Sequence, residues 1–158
     1  MESLERFLID WVNHTKEGPK RSDLEHTDKI WIDYIRLFKE WEISDDFNKN
    51  ELAKYIIYKG ELKRLHRGHK DIHYDNHYVS WTSAEDLNQI YWFNLISSPY
   101  TVITAEATND NPGFNIRGFI DAIKLDSPDY MLNTVNTYNE YEVVFPLQKN
   151  SIIKVDQF

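Results

Sequence analysis

The sequence predicts an α+β domain, with helices first and strands after, and three observations lead there. Apolar residues recur three or four apart through the first sixty positions, β-branched and aromatic runs bounded by turn residues take over from position 61, and no strand–helix–strand unit repeats. The 158 residues leave room for one ordinary domain, with a helical amino-terminal region over residues 1–60 and a β-rich region over residues 61–158. Apolar side chains at 41% suffice for a sizeable core and exclude disorder as the main state.

In order along the chain, Leu4, Phe7, Leu8 and Trp11 mark one face of a first helix, stopped by Gly18-Pro19. A second stripe runs through Ile30, Trp31, Tyr34, Leu37, Phe38 and Trp41, with Ser22 or Asp23 as its cap. Its spacing assigns Trp31 and Trp41 to core packing rather than to ligand platforms. A third helix begins around Asp46, turns Leu52, Tyr55 and Ile56 inward, and ends at Gly60. Residues Glu61–Arg67 suit an extended segment, and Tyr78–Thr82 a strand. Ser83-Ala84-Glu85-Asp86 has the form of a capping box, which predicts a helix over 84–96 with Leu87, Ile90, Tyr91 and Leu95 inward. Tyr100–Ala107 reads as a strand and Asn109-Asp110-Asn111-Pro112-Gly113 as a turn. Tyr141–Phe145 and Ile152–Val155 look like a closing pair of strands around residues 146–151.

Charge and composition narrow the function classes. Twenty-six acidic against 18 basic side chains give −8, which argues against a general nucleic-acid or anionic-membrane binder. Without cysteine there is no disulfide, thiolate nucleophile or cysteine metal site, in keeping with a reducing compartment. The amino end lacks the basic start and apolar stretch of a signal peptide, and apolar runs such as Tyr55-Ile56-Ile57-Tyr58 are too short to span a bilayer. The expectation is a cytoplasmic protein. Neither GxGxxG nor GxxxxGK[ST] is present.

Three clusters carry chemistry. His66, His69, His73 and His77, with Asp71 and Asp75 among them, are residue types that ligate zinc or iron, but Gly68 and Asn76 make the segment a loop of solvated or substrate-side histidines, and no metal is expected. Lys59, Lys63, Arg64, Arg67 and Lys70, opposed only by Glu61, form a basic run that is either a solvated strand face or a pyrophosphate pocket, since a guanidinium makes paired hydrogen bonds to phosphate. Glu140 and Glu142 flank Tyr141 just before Val143-Val144-Phe145, so on a strand both carboxylates emerge on one face. That pair is either a solvated strand edge or an acid–base device.

The order of three motifs bears on these alternatives. Leu65-His66-Arg67-Gly68, then Tyr78-Val79-Ser80-Trp81-Thr82-Ser83, then Asn139-Glu140-Tyr141-Glu142-Val143-Val144-Phe145 resembles the arginine–serine–glutamate series of the mono-ADP-ribosyltransferases, a family of bacterial toxins, phage enzymes and vertebrate ectoenzymes. Val102-Ile103, the Pro112-Gly113 turn and residues 116–123 resemble its middle region, and 145–155 its closing hairpin. The likeness covers residues 61–158. Arg-Gly recurs at Arg117-Gly118, out of order, and Trp81 interrupts the common Ser-Thr-Ser, so the serine role falls on Ser80 or, in another alignment, on Thr82-Ser83.

The resemblance implies a split β-sandwich preceded by a helical region, with NAD as substrate in its cleft and no metal. It implies Arg67 at the phosphates or adjacent ribose, Ser80 on the catalytic carboxylate or nicotinamide ribose with Thr82 beside it, and Glu142 at the ribose 2′-hydroxyl. Glu140, two residues before the catalytic Glu, goes with an arginine acceptor. Phe114 or Trp81 would stack on nicotinamide, whereas Tyr91, Trp92 and Phe93 would pack. The implied activity is transfer of ADP-ribose to a protein, probed most naturally with bacterial protein and consistent with an infected or intoxicated host cell. A NAD glycohydrolase uses the same Glu142, and a catalytically silent binding module retains the same fold.

Overall fold

A computed structural model describes residues 2–13, 27–123 and 141–158. The three apolar stripes form α1 (Glu2–Asn13), α2 (Asp28–Glu42) and α3 (Phe47–Ile56). Gly18-Pro19 and the proposed caps Ser22 and Asp23 lie outside the described residues. At the start of α2, Asp28 favours the positive end of the helix dipole. Its carboxylate also accepts from the Tyr78 amide at 2.9 Å and contacts His77 Nδ1 at 2.6 Å, tying the helix to the sheet. Asp46 caps α3, its Oδ1 accepting from the amides of Asn48 and Lys49.

Three expectations need correction. Helix α3 stops at Ile56 rather than Gly60, because Ile57-Tyr58 (β1) is drawn into pairing with Phe114-Gly113. Ala53 and Ile56 define its inward face, so Tyr55 is exposed. The helix expected over 84–96 is two short 3-10 turns, Leu87–Gln89 and Tyr91–Leu95. The capping box there is Asp86 with Gln89, while Ser83 bonds the carbonyl of Tyr141 through both amide and hydroxyl. The aromatic, β-branched and Asn residues of the segment are weak helix formers, and nothing prolongs the turns.

The remaining elements are β2 (Gly60–Arg67), β3 (Tyr78–Thr82), β4 (Tyr100–Ala107), β5 (Gly113–Asn115), α4 (Ile116–Ile123), β6 (Glu142–Pro146) and β7 (Ile152–Gln157). They form one sheet in the order β1-β5-β6-β3-β2-β4-β7, each pair antiparallel. The third correction follows: β6 and β7 are not a hairpin. β6 lies between β5 and β3, whereas β7 pairs with β4 at the far edge. Measured flat, the four gaps from β6 to β7 span about 19 Å. The link Leu147–Ser151, which includes a 3-10 turn, barely reaches that far, so the sheet must curl.

The two faces of the sheet build two cores. On one, Leu4, Leu8, Trp11, Trp31, Ile35, Phe38 and Ile56 meet Phe114, Phe119 and Val144. Inside the curl, Leu62, Trp81, Ile103, Ala105, Val143, Phe145 and Leu147 pack together. Alternation along β6 separates them, with Val144 facing the helices and Val143 and Phe145 the curl.

Two blocks can be distinguished within the sheet. Strands β1-β5-β6-β3 and strands β2-β4-β7 are continuous ladders, but β2 meets β3 through the single pair Lys63–Thr82. Beyond that pair β2 and β3 do not pair with each other, leaving a seam.

Candidate functional site

The seam and the strand behind it bring together much of the arginine–serine–glutamate series. Entry to β6 is set by Tyr141, whose backbone turns to φ 51° and whose carbonyl is held by Ser83 at 3.0 and 3.2 Å. The Arg117 guanidinium lies 5.0 Å from the centre of the Tyr141 ring. After this turn Glu142 stands opposite Thr82, and Thr82 opposite Lys63, so the three form one row across three strands. Directly opposed residues of an antiparallel ladder share a face. Ser80, opposite Val144, lies on that face too, two residues along β3.

Glu142 is 7% exposed, and its Oε2 accepts a hydrogen bond from Trp11 Nε1 at 3.0 Å. Thr82 is equally enclosed, its Oγ1 accepting from the Ala84 amide at 3.1 Å. Ser80 is half-buried, and its carbonyl accepts from Arg64 Nη1 at 2.5 Å. That side-chain bond stitches the seam where the β2–β3 ladder is not formed. Glu140 lies outside the described residues.

Arg67 ends β2, paired with Tyr100. It shares the face of Lys63 but lies four residues on, about 13 Å along the strand. Arg67 is therefore at the open lip of the seam and Glu142 at its joined end. Among the described residues Arg67 and Lys70 make no ion pair or side-chain hydrogen bond, and both are exposed. The rest of the basic run is engaged. Lys59 pairs with Glu42 at 2.9 Å and Lys63 with Glu61 at 2.8 Å. The hydrogen bond and charge of Lys63 hold the Glu61 carboxyl below the usual carboxylate range.

Both rings nominated for stacking are packed within protein. Phe114 is fully buried, with Trp31, Phe38 and Phe119 around it at centroid distances of 5.4 to 5.9 Å. Trp81 points into the curl, away from Glu142, is 2% exposed, and donates through Nε1 to the Phe145 carbonyl at 2.9 Å. The seam thus presents a carboxylate, hydroxyls and, at its lip, the exposed Arg67, without either of those rings. An open groove of about 790 Å³ lies elsewhere, between Ile72–Asn76 and Lys149-Asn150, and none of the motif residues lines it.

His69 Nε2 contacts the Phe158 carbonyl at 2.8 Å, and His77 Nδ1 contacts the Asp28 carboxylate at 2.6 Å. Among the described residues, no three His, Asp or Glu side chains gather in a way that could hold a metal. No helix among them is long and apolar enough to cross a membrane.

One site residue was not legible as such. Trp11 reads from its spacing as a packed ring, and it is one; its indole N–H is the additional feature, a donor that a buried tryptophan usually has to satisfy. Nothing in the sequence points to a partner 131 residues away. Compared with known proteins, the chain matches no family model, no curated protein and no solved structure.

Proposed function

We propose that the chain is a mono-ADP-ribosyltransferase that moves ADP-ribose from NAD to a protein side chain, an arginine by the Glu140–Glu142 pair, and releases nicotinamide. The observation that supports this best is the seam: Arg67 at one lip, Ser80 and Thr82 on the facing strand, and Glu142 buried one strand behind. A carboxylate taken out of water costs several kcal/mol unless it is held and paired. Such a group in a sheet core is a candidate for chemistry.

In this reading Arg67, with Lys70 nearby in sequence, holds the phosphates. Ser80 or Thr82 meets the nicotinamide-side ribose, and Glu142 binds its 2′-hydroxyl. The C1′–N bond breaks with its electron pair leaving on nicotinamide, and the ribosyl ring gains positive charge. Glu142 stabilises that charge more in the transition state than in the ground state. An acceptor guanidinium nitrogen forms the new bond to C1′ and gives up a proton, for which Glu140 is the base.

The test is labelled NAD with bacterial lysate, measuring nicotinamide release and protein labelling on folded protein. Glu142→Gln should lower both by roughly 10²–10³-fold. Glu140→Gln should lose arginine labelling far more than NAD cleavage. Folded wild-type protein that releases no nicotinamide overturns the reading. A second reading is favoured by the packing of Trp81 and Phe114 within the cores and by the bond of Glu142 to Trp11: a silent protein-binding module in which Glu142 ties α1 to the sheet. It predicts no NAD binding in a titration.

A further inference from the structure

A buried hydrogen bond joins helix α1 to the sheet, from Trp11 to Glu142. Leu4 and Leu8 are fully buried and Trp11 is 5% exposed, so the helix is part of the core. The Trp11 ring stands edge-on to Trp31 at 4.9 Å with an interplanar angle of 81°, and Phe7 lies 6.3 Å away. Trp31 in turn meets Phe114 at 5.4 Å. This aromatic row fixes the plane of the indole, and its N–H is directed at Glu142 Oε2, 3.0 Å away and buried.

A carboxylate on a Glu side chain has three torsions to order, and an unconstrained one samples several rotamers. A neutral donor on a rigid aromatic platform removes that freedom. It also stabilises the ionised form by a charge-assisted hydrogen bond in a site shielded from water. Ser80, to which the motif assigns the task of holding the acid, stands opposite Val144 rather than Glu142. A donor to the carboxylate comes from the helical region of the chain, through Trp11 Nε1.

We propose that Trp11 is a positioning residue: its indole N–H fixes the Glu142 carboxylate, so that α1 belongs to the site although the motif residues all lie beyond position 61. The catalytic consequence rests on the transferase reading above; the fixing of the carboxylate does not. Trp11→Phe keeps an aromatic ring in the row and removes only the donor and the larger ring's edge.

Two measurements on the full chain test it. The first follows the tryptophan indole N–H resonances by ¹⁵N–¹H NMR, with the Trp11 signal assigned by its loss in Trp11→Phe. Glu142→Ala should move that signal upfield by several tenths of a ppm, and an unmoved signal overturns the contact whether or not NAD is turned over. The second measures nicotinamide release. Trp11→Phe should lower kcat by about 10–100-fold with KM for NAD within about threefold, since the donor acts on the reacting carboxylate and not on the phosphates. Melting temperature and near-ultraviolet circular dichroism establish that the variant is folded. Full kcat in folded Trp11→Phe overturns the positioning role and leaves the transferase reading intact. A folded wild type without NAD cleavage overturns the transferase reading and the catalytic role together, and the indole shift then decides the contact by itself.

Discussion

Substituting Gly118 by alanine tests how α4 is seated, and the sign of the effect decides the matter. Gly118 is the third residue of α4, and its amide donates to Asn115 Oδ1 at 2.9 Å. A methyl group there would collide with the carbonyl oxygen of Tyr55 on α3, and would lie 2.9 Å from that carbonyl carbon and 3.1 Å from Asn115 Cγ. The obstacle is backbone, which has no rotamer to yield, so α3 and α4 must part. Parting them loosens Ile116, Phe119 and Ile120, all essentially buried in the helical core. Overpacking of this kind costs about 3 kcal/mol, the upper end of its usual range. The gain in helix propensity from Gly to Ala is about 1 kcal/mol. The net expected loss is about 2 kcal/mol, or roughly 4–8 °C in Tm for a chain of this size. The assay is thermal unfolding by circular dichroism, with urea unfolding at unchanged m-value as a check. Gly68, in the other Arg-Gly dipeptide, is the control: its φ is +79° with no atom within 4 Å of a built Cβ, so alanine meets only backbone strain of about 1–2 kcal/mol. A Gly118→Ala protein as stable as wild type, or more so, refutes the close approach of α3 and α4.

Two further predictions concern packing and pH. Phe114→Ala should lose about 3–5 kcal/mol as a core truncation, and Trp81→Phe about 1–2 kcal/mol with its bond to the Phe145 carbonyl. If NAD affinity, measured well below each Tm, falls strongly in either variant, the assignment of these rings to the cores is wrong. Burial raises the hydroxyls of Tyr58 and Tyr78 above the ordinary tyrosine range, with Glu61 and Glu85 adding to the first and Asp28 to the second. The unfolded chain therefore ionises first as pH rises, so the stabilisation is complete below about pH 10 and declines toward the folded-state values. Urea unfolding from pH 8 to 11 should show this decline, and a Tyr58→Phe, Tyr78→Phe double variant should flatten it; an unchanged slope would assign the decline to other groups.

What the sequence determined by itself was local. The stripes Leu4–Trp11 and Ile30–Trp41 face one way because 3.6-residue periodicity needs no knowledge of the partner, and α1 and α2 form where it places them. The same holds for β3 and β4, whose β-branched and aromatic runs end at turn residues. Asp46 caps α3 through a bond to amides two and three positions away, a purely local event. The tertiary structure decided everything that depends on distant partners. Ile57-Tyr58 left the helix for a strand because Gly113-Phe114 was there to pair with it. β6 and β7, adjacent in sequence and joined by a turn-like segment, went to different neighbours, since strand order is set by which hydrophobic faces can be buried together. Glu140, Ser80, Arg67 and Glu142 were legible as residue types in an order, but order carries no distance. The row Lys63–Thr82–Glu142, the seam beside it and the indole of Trp11 against Glu142 come from register and packing, and no local pattern encodes a contact across 131 residues.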